Sequence, residues 1–175
     1  MSRILIVFST VDGQTKKICA RLARQLEEEG NEVELLAVDD ASDAKLRTAD
    51  KIVVGASIRY GKHNKKVYAF VAEHEKELER KKSVFFSVNV VARKPNRNTA
   101  DTNPYLKRFL KQISWKPTKV AVFAGKIDYQ RYGLFDRSMI RFIMWLTKGP
   151  TDPKASIEFT DWEKVAAFGK TVNEM

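Results

Sequence analysis

The chain of 175 residues is poor in the residue types from which metal and thiol sites are made: it has one cysteine and two histidines. A single cysteine excludes an internal disulfide and fits a reducing compartment. Cys19 falls beside Ile18 on an apolar helix face, the place of a small buried residue and not of a reactive thiol. With no clustered ligand residues, no metal site is expected. There is no Gly-Lys-Ser/Thr, which excludes a nucleotide-hydrolysing phosphate loop, and no Gly-x-Gly-x-x-Gly, which excludes the dinucleotide fingerprint. No apolar run approaches the roughly 20 residues of a spanning helix, and Ile4–Phe8 is too short for a signal-peptide core. The expectation is a cytosolic or membrane-peripheral protein. Repeats, low-complexity stretches and linkers are also missing, so residues 1–175 read as one domain, able to bury roughly 70% of its unfolded surface.

Acidic charge is scarcest over one stretch. Residues 93–119 carry eight basic side chains against Asp101, and so hold +7 of the net +10. Such a patch suits an anionic partner, whether nucleic acid, acidic lipid or a carboxylate substrate, or is simply a solvated basic face. A nucleic-acid binder needs aromatics among its basic residues. Tyr105, Phe109 and Trp115 are the ones available, and they fit a helix core better, so no nucleic acid is expected.

Strand and helix patterns alternate along the chain. Arg3–Phe8, Glu32–Ala37, Ile52–Val54, Ser83–Asn89 and Val120–Gly125 read as strands, the second of them near an edge. Helices are expected over Lys16–Leu26, over Lys66–Lys82, over Pro104–Ile113 and over Trp162–Val172, the last capped by Thr160 or Asp161. Apolar strands alternating with helices mean a parallel sheet covered on both faces. Ligands of such sheets bind at the carboxyl ends of the strands.

The first of those ends carries Ser9-Thr-Val-Asp-Gly-Gln-Thr15 into a helix. Orphan N–H groups and the positive end of the helix dipole point at an anion there, hydroxyls add donors, and Gly13 lets the backbone approach. Without a lysine, the loop suits a phosphate that is held and not transferred, such as that of flavin mononucleotide (FMN). It also reads as a plain polar turn with Asp12 or Thr10 as helix cap. Strand three delivers Ser57-Ile-Arg-Tyr-Gly61, where Tyr60 is suited to stacking on an aromatic ring or is a surface aromatic. Strand four delivers Ser87-Val-Asn-Val-Val-Ala92, where Asn89 suits the polar edge of such a ring or a turn. His63 offers a proton shuttle but reads more simply as an exposed loop histidine, and His74 as structural.

The first loop resembles the phosphate loop of flavodoxins, Ser/Thr-x-Thr-Gly-x-Thr, with Asp12 where flavodoxins usually carry Thr and Gln14 where they often carry Asn. Gly55–Gly61 and Ser87–Pro95 narrow the resemblance to the flavodoxin-type, menaquinone-dependent protoporphyrinogen oxidase family of haem synthesis. Arg131-Tyr132, Asp136-Arg137 and Met139-Ile140 match that family's insert. The resemblance implies a flavodoxin-like three-layer α/β sandwich with a five-stranded parallel sheet, long-chain in type, with an insert at about 126–156 interrupting strand five. It implies FMN-dependent six-electron oxidation of protoporphyrinogen IX, with electrons passed to menaquinone or ubiquinone. FMN would be held by Ser9, Thr10, Val11, Asp12, Gly13, Gln14 and Thr15, by Ser57, Ile58, Arg59, Tyr60 and Gly61, and by Ser87, Val88, Asn89, Val91 and Ala92. Arg93, Lys94 and Arg97, with Arg59, would form a basic rim for the substrate's propionates. No side chain stands out as an acid or base.

Phe135–Lys148 has its own pattern. Met139, Phe142, Ile143 and Leu146 share one helical face, and Arg137, Arg141 and Lys148 line another. An apolar face, a basic stripe and Trp145 suit a helix lying in a membrane surface. The same spacing fits a helix packed on the sheet or on a second subunit. The expected location is therefore peripheral, on the cytoplasmic face of the inner membrane, with a homo-oligomer as the alternative use of the helix. Two rival functions are a flavodoxin-type electron carrier, against which the basic charge argues, and an NAD(P)H:quinone reductase.

Overall fold

The computed structural model describes residues 1–175. β1 (Arg3–Ser9) leads into α1 (Gln14–Glu28), followed by β2 (Glu32–Ala37) and a short α2 (Asp43–Thr48). β3 (Lys51–Arg59) turns back into the two-residue β4 (Lys62–His63), and α3 (Lys65–Glu73) and α4 (Glu75–Arg80) lead to β5 (Lys82–Asn89). α5 (Pro104–Gln112) and β6 (Lys119–Ala124) come next. β7 (Lys126–Asp128), α6 (Leu134–Leu146) and β8 (Ser156–Glu158) follow, and α7 (Trp162–Glu174) closes the chain.

Five strands pair in parallel in the order β2-β1-β3-β5-β6, the flavodoxin-like order, with β2 at the edge as its mixed polarity implied. Each strand sends alternate side chains to opposite faces. Leu5 and Val7 join Ile52, Val54, Phe85, Phe109 and Trp115 on one side. Ile4 and Ile6 join Ile18, Leu22, Phe86, Phe123, Phe168 and Val172 on the other, under α1 and α7. Burying both faces explains why β1, β3 and β5 are nearly continuous apolar runs. Cys19 is fully buried in the second core, and burial pushes its thiol pKa up, as a core residue requires.

Two expectations are corrected. The helix expected over Lys66–Lys82 breaks at His74, which leaves helical geometry (φ −107°, ψ 17°) and separates α3 from α4. The His74 ring is buried, with Nδ1 2.7 Å from the Asp43 carboxylate, so the break is held by a tertiary contact that periodicity does not reveal. Of the two candidate caps of α7, Asp161 fills the place, accepting from the N–H groups of Glu163 and Lys164. The chain beyond α6 does not rejoin the parallel sheet. β8 pairs antiparallel with β7 in a separate two-stranded ribbon. Thr160 then ties back to the end of β6, its Oγ1 donating to the carbonyl of Ala124 at 2.7 Å.

Candidate functional site

The carboxyl ends of β1, β3, β5 and β6 open into one cleft of about 830 Å³, counting its space open to solvent. Thr10, Val11, Asp12, Gln14 and Thr15 line it from the first loop, Ser57–Gly61 from the second, and Val88, Asn89 and Val91 from the third. Ser9, Gly13, Ser87 and Ala92 lie outside the lining, as do Arg93, Lys94 and Arg97.

The first loop is built for an anion. α1 starts at Gln14 with Gly13 as its cap in the left-handed region (φ 91°), and no side chain caps it. Its first-turn N–H groups are therefore open, and no acidic residue lies in that turn. The expectation that Asp12 or Thr10 caps the helix fails: Thr10 Oγ1 accepts from Gly13 N at 3.0 Å, and Asp12 points away to Arg59. The Gln14 side chain donates to Thr160 Oγ1 at 2.9 Å, leaving its backbone N–H for a ligand. Thr15 Oγ1 is buried in the cleft wall with no partner at all. An unmade hydrogen bond at a buried hydroxyl costs about 1–3 kcal/mol unless a bound group supplies it.

The second loop is a tight hairpin. Arg59 pairs with Lys62 across Tyr60 (φ 51°) and Gly61 (φ 77°). Positive φ at both central residues is the turn that matches strand twist in two-residue hairpins. Glycine adopts it freely, whereas tyrosine is strained there, and such strain collects at functional sites. The strain places the Tyr60 ring half-exposed at the cleft mouth, with its hydroxyl hydrogen-bonded to Asp136 of α6. That carboxylate holds the Tyr60 phenol above its ordinary pKa. Behind the turn, His63 is buried, not exposed: Nε2 lies 3.0 Å from Ser87 Oγ, and the ring packs on Phe85 and Phe109. Burial pushes its pKa down to about 4, so the ring is neutral and sealed from the cleft.

In the third loop two candidate side chains have partners within the fold. Asn89 is buried, accepts from Ala92 N at 3.0 Å and from Asn103 Nδ2 at 3.1 Å, and donates to Ser87 Oγ at 3.3 Å. With its oxygen doubly used, it shapes the turn that offers Val91 to the cleft and has little left for a ring edge. Arg93 turns away from the cleft mouth. Its Nη1 donates to the Val90 carbonyl and its Nη2 to the Thr147 carbonyl, each at 3.0 Å. Burial lowers its pKa. The propionate rim of Arg93, Lys94 and Arg97 is thus not part of the cleft wall, whose cationic groups are Arg59 and Lys126.

α6 closes the remaining side. Ile140, Ile143 and Met144 face the cleft and pack with Ile127, Tyr129 and Tyr132. Ile143 thus belongs to the inner face, while Phe142, Trp145 and Leu146 stand 55%, 67% and 59% exposed on the outer one. The basic stripe is also corrected in part. Arg137 donates to the Tyr129 carbonyl at 3.0 Å and Arg141 to the Thr151 carbonyl at 2.9 Å, so both brace the segment that carries them. No helix is long and apolar enough to cross a membrane.

A family model described as a flavodoxin domain matches residues 5–154. Two curated relatives, from Escherichia coli strain K12 and Leishmania major, are 41% and 44% identical over 97% and 95% of this chain, which is 94% and 72% of their own lengths. Both are named protoporphyrinogen IX dehydrogenase (quinone). The chain belongs to the flavodoxin-type protoporphyrinogen IX dehydrogenase family. Its fold is shared by oxidised flavodoxin 1 of Bacillus cereus, at 16% identity and a TM-score of 0.59 over 99% of this chain and 98% of that one. An archaeal flavodoxin matches at 14% identity and 0.54, over 98% and 96%.

Within this family member, sequence reasoning missed Val90, Tyr105, Gly125, Lys126, Ile127 and Tyr132 as cleft residues. Gly125 and Lys126 follow the fifth strand, so the rule that ligands sit at strand ends would have found them. Tyr105 and Tyr132 carry no such signal, because a packing aromatic and a site aromatic look alike in sequence.

Proposed function

We propose that the protein is an FMN-dependent dehydrogenase that removes six electrons and six protons from protoporphyrinogen IX in three two-electron rounds, reducing three quinones to quinols. The buried Thr15 hydroxyl carries the cofactor reading, since it lacks a partner within an uncapped helix N-terminus whose nearest acid is turned away. That site fits a terminal phosphate dianion, and the relatives' names supply the substrate and acceptor classes. In this reading the phosphate is held by the hydroxyl of Thr15 and the amides that open α1, while Ser57–Gly61 and Val88–Val91 flank the ring. Bound FMN supplies the two-electron acceptor between substrate and quinone.

The chain's own residues orient the reactants and limit water. Tyr60 closes the cleft mouth against Asp136, and Ile140, Ile143 and Met144 form an apolar wall suited to a large macrocycle. Arg59 and Lys126 offer its carboxylates cationic partners at the wall. The quinone is menaquinone or ubiquinone, and the exposed outer face of α6 lays the domain peripherally on the cytoplasmic face of the inner membrane, where that quinone resides. Residues 126–156 are, in this view, an insert in a single domain that makes both the cleft wall and the membrane contact.

The test is anaerobic mixing of FMN-loaded protein with protoporphyrinogen IX. Bleaching of the flavin absorbance, reversed by a quinone analogue, is expected. A flavin that stays oxidised in the presence of substrate overturns the reading, and rapid bleaching by NADPH alone would favour a quinone reductase.

A further inference from the structure

Arg59 and Asp12 meet across the cleft in an unusual way. Both Asp12 carboxylate oxygens lie on a single nitrogen, Arg59 Nη2, at 2.6 and 2.7 Å. A fork-to-fork pair would occupy two nitrogens of the guanidinium. Here Nη1 is left over, and it is buried without a partner. The guanidinium carbon also sits 5.8 Å from the centre of the Tyr60 ring and 5.3 Å from that of Tyr132, so two aromatic rings restrain its plane. Asp12, Arg59, Tyr60 and Tyr132 all line the cleft.

Two costs are visible in this arrangement. A carboxylate in a phosphate loop repels the anion that the loop holds. A buried N–H of a permanently charged guanidinium, left unpaired, costs more than one of a neutral group. Each is relieved in a different way. Turning Asp12 onto Nη2 takes its charge away from the open amides of α1, and a ligand oxygen in the cleft would complete Nη1.

We propose that Asp12 is a positioning residue that sets the guanidinium of Arg59 so that Nη1 presents its N–H groups to an oxygen acceptor of the bound ligand. This rests on the FMN reading of the cleft. The acceptor is a ring carbonyl of the cofactor or a carboxylate of the porphyrin substrate, both of which offer in-plane oxygen lone pairs. A lysine at position 59 cannot serve, because one ammonium cannot hold Asp12 and face the cleft with a separate nitrogen.

The experiment measures binding, not turnover, on D12N, D12E, R59K and the D12N/R59K double variant. Apoprotein is titrated with FMN by fluorescence quenching. FMN-loaded protein is titrated with protoporphyrin IX and with its dimethyl ester. D12N and R59K should each weaken one ligand about tenfold, and D12E should restore most of the loss. The double variant should bind no more weakly than the worse single variant, since the pair acts as a unit. Loss in the FMN titration assigns the acceptor to the ring. Loss with the diacid but not the ester assigns it to the carboxylate. If the two single losses add in the double variant, or if D12N binds FMN and the diacid as tightly as wild type, the inference is overturned alone. Wild-type apoprotein that takes up no FMN overturns the cofactor reading and this inference with it.

Discussion

Arg93 Nη2 donates to the carbonyl of Thr147, the residue that ends α6, while its Nη1 donates to the carbonyl of Val90 on the cleft-lining turn. One cation therefore ties the C-terminal end of a helix, where the dipole is negative, to the loop after β5. Without it, both carbonyls would depend on water in a half-buried place.

Replacing Arg93 by Gln should thus loosen α6 and not simply weaken a substrate contact. Hydrogen bonds from a charged donor are worth about 1.5–3 kcal/mol, so the variant should melt several degrees below wild type while still retaining flavin. Amide exchange should speed up over residues 134–147. If R93Q melts like wild type but shows a raised KM for porphyrinogen, Arg93 is a propionate partner after all.

The buried His63 ring makes stability depend on acid. Its folded pKa, about 4, is below the unfolded value of 6.5, so the folded state binds fewer protons. The stabilisation is complete above about pH 6.5 and is lost as pH falls towards 4, by about 3 kcal/mol for this group alone. Urea midpoints at pH 7 and pH 4.5 should differ more for wild type than for His63→Leu, which keeps the contacts to Phe85 and Phe109. An equal acid shift in both proteins would remove His63 as its source.

Gly13 holds a backbone angle that side-chain-bearing residues rarely adopt, although the fold itself leaves room for a side chain. A Cβ built there meets nothing within 4 Å, but φ is +91°. Gly13→Val should therefore lose FMN because the loop cannot keep its shape, whereas Gly13→Asn, which tolerates positive φ better, should retain part of the affinity. Equal FMN dissociation constants for the valine variant and wild type would mean that the phosphate is held elsewhere.

The five strands were legible because burial on both faces writes them as apolar runs, and the first two loops because they sit where such strands end. Side-chain direction was not legible. Asn89 ends β5 and Arg93 follows it, as expected, yet one folds back to Ser87 and Asn103 and the other to Thr147, and those partners lie up to 54 residues away. His63 looked like a loop residue because its burial comes from Phe85 and Phe109 on other elements. The two faces of α6 were partly misassigned for a related reason. The apolar residues of α6 span two adjacent faces, and periodicity does not say which of the two meets the cleft.

The outer face of α6 yields the last prediction. Phe142 and Trp145 are exposed, their rings 6.2 Å apart, and neither lines the cleft. Full transfer of each into the headgroup boundary gains roughly 1.5–3 kcal/mol, and each nearby cation about 1 kcal/mol more on anionic lipid. That total supports reversible attachment and not permanent insertion. Changing Phe142 and Trp145 to Ser should release the protein from vesicles rich in anionic phospholipid and slow reduction of lipid-dissolved quinone. Reduction of a water-soluble quinone analogue should persist, since Ile140, Ile143 and Met144 still wall the cleft. If the variant stays on vesicles but elutes as a smaller species in size exclusion, the face is a contact between copies of the chain and the membrane reading fails.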